Sequence, residues 1–139
     1  MSVTPEHFLV EARAALARAA KAETDEKEMA WRQAASRGYY AGYHWANGIS
    51  GHFANPPRYG QTGQHQELID RLQFVDRKKV HGGSLANQIA PTLARSRELR
   101  VKADYYLDQS ISEREAQAVI ANAELIRKLV EQFATLHTA

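Results

Sequence analysis

The stretch AASRGYYAGYHWA, residues 34–46, decides the fold of this chain. Its small and aromatic residues recur with helical spacing rather than with the period of two that is typical of strands. Glycine costs about 1 kcal/mol relative to alanine inside a helix, so Gly38 and Gly42 predict the close approach of a second helix. The stretch therefore predicts a helix from about Glu26 to near Phe53, with another helix packed tightly against it.

Arg37 and His44 lie on this predicted helix and are separated by six residues. A step of seven residues nearly closes two helical turns, so both side chains should share one face, about 10 Å apart along the axis. A permanent cation beside a group that titrates near neutrality suits a phosphodiester substrate. We predict that Arg37 grips a phosphate and that His44 moves a proton.

The rest of the chain shows the same helical periodicity, which predicts an all-α, up-and-down bundle of about five helices in a single domain, residues 1–139.

Thr4 is the predicted N-cap of the first helix, Thr24 or Asp25 that of the second, and Ser84 that of the fourth. Ser112 and Glu115 form a capping box that opens the last helix. We predict that Pro91 kinks or divides the fourth helix. The first four helices are predicted over about residues 5–21, 26–53, 64–79 and 84–107.

Composition narrows the possible functions. The 139 residues are 44% apolar, with a net charge of +2 and a pI near 9.0, which permits an RNA partner without requiring one. The absence of cysteine excludes a disulfide framework, a thiolate nucleophile and cysteine-ligated zinc. The histidines His7, His52 and His137 are scattered and His81 falls in a loop, so we predict no metal site and no cofactor. We expect a cytoplasmic protein without a signal peptide or membrane span.

Two segments together resemble the HEPN (higher eukaryotes and prokaryotes nucleotide-binding) domain family in its small prokaryotic branch. They are residues 35–44 and residues 99–105, the latter followed by residues 111–116 and a helix that contains Ala123. His65, ahead of the third helix, also fits, and the resemblance covers roughly residues 30–133. It implies a helical bundle that pairs into a homodimer, with two motifs facing one cleft.

The resemblance also implies an activity. Many HEPN proteins are metal-independent endoribonucleases whose motif is arginine, four to six residues, then histidine, and Arg37 and His44 fit its upper limit. Several are toxins paired with a small nucleotidyltransferase antitoxin, and others act in phage defence. His44 would then be the general base or acid at a ribose 2′-hydroxyl or leaving 5′-oxygen, and Arg37 would offset charge in the transition state.

Further residues are predicted to bind RNA. Tyr40 and Tyr43 would stack on bases, His65 would contact a phosphate at a helix N-terminus, and Arg97 and Arg100 would guide the strand. More conventional interpretations stay open: His65 caps its helix, and Arg100 pairs with Asp104 on an exposed face. The tyrosines could instead pack in the core or at a dimer interface, which is the expected role of Tyr39.

Two alternatives concern the whole site. In the first, Arg37 pairs with an acidic residue such as Asp104, and His44 caps a helix or packs in a groove. In the second, the chain is a non-catalytic nucleotide- or RNA-binding module, or an adaptor, that pairs with a nucleotidyltransferase.

Overall fold

Five α-helices and one short 3₁₀ helix build the protein in the computed structural model, which describes residues 2–138. No strand occurs between these two residues, and the prediction of a five-helix, all-α bundle is confirmed. The helices are α1 (Pro5–Ala19), α2 (Thr24–Asn47), the 3₁₀ helix (Ser50–His52), α3 (Gln64–Gln73), α4 (Gly83–Tyr105) and α5 (Glu113–His137).

Helix α2 is the centre of the bundle, because α1, α4 and α5 all pack against it. A Cβ atom added to Gly38 would lie 3.1 Å from Cγ1 of Val119, and one added to Gly42 would lie 3.0 Å from Cδ1 of Ile126. Both glycines therefore let α5 approach α2 closely, as the sequence predicted.

Helix α5 supplies a continuous buried stripe to the core. Its capping box forms as predicted: Ser112 Oγ accepts from the Glu115 amide at 3.1 Å, and Glu115 Oε1 accepts from the Ser112 amide at 3.0 Å. Val130 on this helix is half-buried, whereas its neighbour Leu129 is buried. The buried residues of α5 are Ala116, Val119, Ile120, Ala123, Ile126, Leu129 and Phe133.

The boundaries of α3 and α4 differ from the prediction. Helix α3 ends at Gln73 instead of Lys79, because the side-chain amide of Asn87 donates to three carbonyls at this end, at 3.0–3.2 Å. Helix α4 begins at Gly83, and its N-cap is Gly82, with φ +79°, rather than Ser84. These two boundaries depend on contacts between elements distant in sequence.

Three other local predictions need correction. Helix α2 has Glu23 as its N-cap rather than Thr24 or Asp25, and it ends at Asn47, where Ser50 Oγ donates to the Asn47 carbonyl at 2.8 Å. Helix α1 ends at Ala19, two residues early. Helix α4 is continuous through Pro91, which lies on its exposed side, so the proline does not divide the helix.

The C-terminal end of α4 is held by a buried cation from α2. The guanidinium of Arg32, whose side chain is only 6% exposed, donates to the carbonyls of Ala103 at 2.8 Å and Lys102 at 3.3 Å. It also donates to the Gln109 carbonyl in the following turn. Arg32 therefore satisfies the free carbonyls at the end of the helix that carries Arg97 and Arg100.

Candidate functional site

Side chains from α2, α3 and α4 meet at one side of the bundle. We call this group the tyrosine–histidine cluster. Six of its seven members are residues that the sequence predicted as functional, and the seventh, Tyr39, was expected to serve only packing. The members are Tyr39, Tyr40, Tyr43, His44, His65, Arg97 and Arg100.

The rings of the cluster contact one another across two helices. The Tyr43 ring centroid lies 4.6 Å from that of His65 on α3 and 5.2 Å from that of His44 on its own helix. The Tyr40 ring stacks on His44 at 6.2 Å. Tyr40 and Tyr43 are half-buried and His44 is exposed, so part of this group of rings is accessible to solvent.

His65 is held by a buried phenol. Its Nδ1 lies 2.6 Å from Oη of Tyr39, a side chain with no exposed surface. Burial raises the pKa of the Tyr39 phenol, with the nearby Arg97 guanidinium opposing it. Burial, with Arg100 and Arg97, lowers the pKa of His65 below its ordinary 6.5. The alternative in which His65 caps its own helix is wrong, since the N-cap is Gly63 and the imidazole bonds to Tyr39 instead.

Arg100 connects α4 to the tyrosines of α2. Its Nη2 donates to Oη of Tyr40 at 2.7 Å, and its guanidinium lies 5.1 Å from the centre of the Tyr40 ring. Its Nε lies 2.9 Å from Oδ2 of Asp104, which confirms the predicted pair. The predicted exposed location is wrong, however, because the Arg100 side chain is only 13% exposed.

Arg97 occupies the border between α3 and α4. Its Nη1 donates to Oε1 of Gln66 at 2.8 Å, and the side chain is half-buried. The hydrogen bond holds the charge of Arg97 beside His65, the neighbour of Gln66 in sequence. Among residues 2–138 no second hydrogen-bond partner of this guanidinium is present, so its remaining N–H groups could meet an anion.

Arg37 lies beside the cluster rather than in it. Its exposed side chain lines a shallow cleft with the N-terminal part of α1, including Phe8 and Glu11. The Phe8 ring also lies 5.1 Å from His44, so Phe8 is a shared neighbour of the predicted catalytic pair. The alternative pairing with Asp104 is wrong, because that carboxylate is occupied by Arg100 and by Ser36 Oγ at 3.3 Å.

His44 has the properties of a proton acceptor at neutral pH. Burial against its neighbours lowers the pKa of His44 from 6.5, so the imidazole is neutral at pH 7. The ring packs on Phe8 and Tyr40, as the groove alternative proposed, and it nevertheless stays accessible to solvent. The packing of His44 therefore leaves its imidazole accessible for proton transfer.

A second group of histidines gathers at another part of the bundle, although the sequence suggested that they were scattered. The His137 ring lies 4.2 Å from the Phe133 ring, 4.8 Å from that of His52 and 5.8 Å from that of His81. The His137 Nε2 also lies 2.6 Å from the His81 carbonyl oxygen. Between residues 2 and 138, no group of three or more histidine, aspartate or glutamate side chains is arranged to hold a metal ion.

Sequence reasoning missed two contributors to the site. Phe8 joins it only because α1 docks on α2, and nothing in the local sequence marks that contact. Tyr39 was assigned to core packing, which is confirmed, but its hydroxyl also orients His65.

Comparison with protein-family models and with curated proteins gives no match for this chain. The resemblance to the HEPN family therefore stays a prediction. Within the part of the chain that the structure describes, none of the helices has the length and apolar character needed to cross a membrane.

Proposed function

We propose that this protein is a metal-independent endoribonuclease of the HEPN type, with Arg37 and His44 as its catalytic pair in a homodimer cleft. The observation that supports it best is the position of His44. This imidazole is exposed, its pKa is lowered by burial, and it adjoins a surface of tyrosine rings bordered by Arg97 and Arg100.

The proposed reaction is an internal transesterification of RNA. Neutral His44 takes the proton of a ribose 2′-hydroxyl, the 2′-oxygen attacks phosphorus, and the bond from phosphorus to the 5′-oxygen breaks. His44 of the partner subunit, in its protonated imidazolium form, gives its proton to the leaving 5′-oxygen and becomes neutral, while the first His44 becomes protonated. Arg37 offsets the negative charge on the phosphorane-like transition state. The products carry a 2′,3′-cyclic phosphate and a 5′-hydroxyl.

The tyrosine–histidine cluster would bind the strand beside this centre. Tyr40 and Tyr43 are half-buried, and the exposed parts of their rings would stack on bases without sequence preference. Arg97, Arg100 and His65 supply donors for the phosphates. The role of such an enzyme would be that of a toxin, held in check by a nucleotidyltransferase-type antitoxin, or of a phage-defence effector.

One observation favours a second candidate function, a non-catalytic RNA- or nucleotide-binding module that docks a nucleotidyltransferase. Arg37 lines a cleft with α1, whereas Arg97 and Arg100 border the tyrosine–histidine cluster. Stacking and phosphate contacts would then suffice for binding, without a catalytic arginine.

The test is cleavage of a mixed single-stranded RNA in EDTA by the wild type, Arg37→Ala and His44→Ala. Each substitution should lower the rate by about a hundredfold or more, since both groups act in the transition state. Arg95→Ala is the matched control, because Arg95 is exposed and pairs only with Glu98, three residues along α4. Cleavage that survives His44→Ala contradicts the assignment. RNA binding by the wild type without cleavage favours the binding module.

A further inference from the structure

The hydroxyl of Tyr39 determines which nitrogen of His65 carries the proton. Tyr39 is fully buried, and a buried hydroxyl needs an acceptor for its hydrogen. Among residues 2–138, the hydrogen-bond partner of Oη is Nδ1 of His65 at 2.6 Å. If Nδ1 were the donor, the phenol hydrogen would be buried without a partner. Tyr39 therefore donates and Nδ1 accepts.

A neutral imidazole whose Nδ1 accepts a hydrogen bond carries its proton on Nε2. The phenol keeps its own proton, because burial raises the pKa of Tyr39. The Tyr39 hydrogen bond thus makes His65 a donor at the nitrogen on the opposite side of the ring. His65 is only half-buried, so part of its surface can be reached by a ligand.

The surroundings of His65 keep it neutral at pH 7. The charged groups that act on it are Arg97 and Arg100 from α4, while Tyr43 and His44 face it from α2. Desolvation and the two guanidinium groups lower the pKa of His65. A proton on Nδ1 is therefore disfavoured by these surroundings as well as by the hydrogen bond from Tyr39. The same two cations favour an anion at this position. A fixed N–H donor near two guanidinium groups suits a phosphate oxygen.

We infer, on the basis of the proposed function, that His65 is a phosphate-binding residue that donates from Nε2 to a non-bridging oxygen of RNA without exchanging protons. Tyr39 is its positioning residue. The bound phosphate is a neighbour of the one that is cleaved, because Tyr43 separates the two imidazoles, its ring centroid lying 4.6 Å from that of His65 and 5.2 Å from that of His44. His65 thus serves binding, whereas His44 serves proton transfer.

The test compares His65→Gln with His65→Ala in binding to a single-stranded, fully 2′-O-methylated RNA, which cannot be cleaved. The glutamine side-chain amide offers an N–H donor and does not titrate. His65→Gln should therefore bind within about threefold of the wild type, and His65→Ala about tenfold more weakly, as a lost hydrogen bond to a charged acceptor implies. His81→Ala, an exposed loop histidine, is the control and should bind as the wild type does.

A second measurement reads the tautomer directly and does not depend on RNA. Nitrogen-15 NMR of the wild type at pH 7 should show His65 protonated on Nε2 alone. In Tyr39→Phe, which keeps the ring but loses the hydroxyl, the two neutral tautomers should mix. A wild-type His65 that is protonated on Nδ1, or doubly protonated, overturns the inference.

The outcomes separate the phosphate contact from the catalysis. Equal affinities for the wild type and His65→Ala, or equal losses in both His65 variants, overturn the contact even if unmodified RNA is cleaved. Absence of cleavage together with the predicted ranking of affinities overturns the proposed catalysis and leaves the contact standing. Failure of the wild type to bind the methylated RNA overturns the contact.

Discussion

Replacement of Arg32 by methionine should be one of the most destabilising single substitutions in this protein. The guanidinium is buried, and it donates to the carbonyls of Ala103 and Gln109. Methionine fills a similar volume without any donor. The buried carbonyl of Ala103 and the partly buried carbonyl of Gln109 would then lose this partner.

The magnitude follows from these two bonds. A hydrogen bond from a charged donor contributes about 1.5–3 kcal/mol, so two bonds give a loss of about 3–6 kcal/mol in the free energy of unfolding. For a domain of this length the loss lowers Tm by about 10–20 °C. Arg32→Lys should fall between the wild type and Arg32→Met, because an ammonium group keeps the charge but not the planar fork.

The assay is equilibrium unfolding in urea, followed by circular dichroism, with Arg13→Met as the matched control. Arg13 also makes an ion pair, with Glu124 at 2.9 Å, but both side chains are about half exposed. The control should therefore cost less than about 1 kcal/mol. A loss below about 1 kcal/mol in Arg32→Met would refute the argument that this cation satisfies the end of α4.

Two other predictions concern stability. Gly82→Ala should lower the free energy of unfolding, measured in urea, more than Gly60→Ala does. Both glycines have positive φ, but a Cβ on Gly82 would lie 3.2 Å from Phe133, whereas one on Gly60 would meet open space. Equal losses of unfolding free energy in the two variants would show that α5 shifts to accommodate the added Cβ. Because burial lowers the pKa of His44 and His65, the unfolded chain binds more protons just below pH 6.5, and stability should fall as the pH drops through that value. A variant with glutamine at both positions should lose part of this pH dependence, and an unchanged pH profile would contradict the prediction.

The helices were predictable because their signals are local. Periodic apolar residues and the capping box at Ser112 act within a few residues, and α5 begins where they indicate. The end of α3 and the start of α4 were not predictable in the same way. One depends on Asn87, 14 residues beyond Gln73, and the other on a left-handed glycine, Gly82.

The candidate site was predictable only in part, for the same physical reason. Tyr40, Tyr43 and His44 share one helix, so their spacing alone brings them together. His65 and Arg100 reach them through the docking of α3 and α4, which no spacing in the sequence encodes. The hydrogen bond of the Tyr39 hydroxyl could not be predicted, because its partner, His65, lies on a different helix.

Charge in the cluster bears on how RNA and DNA would be distinguished. With both imidazoles neutral, the charged groups are Arg97, Arg100 and the carboxylate of Asp104 that pairs with the latter, which leaves one net positive charge. Phosphates of DNA and RNA satisfy this charge equally well, and stacking on tyrosine is equally tolerant. Under the proposed mechanism, discrimination comes from the chemical step. Only RNA carries the 2′-hydroxyl from which His44 would take a proton, so we expect DNA to bind at the cluster without reacting.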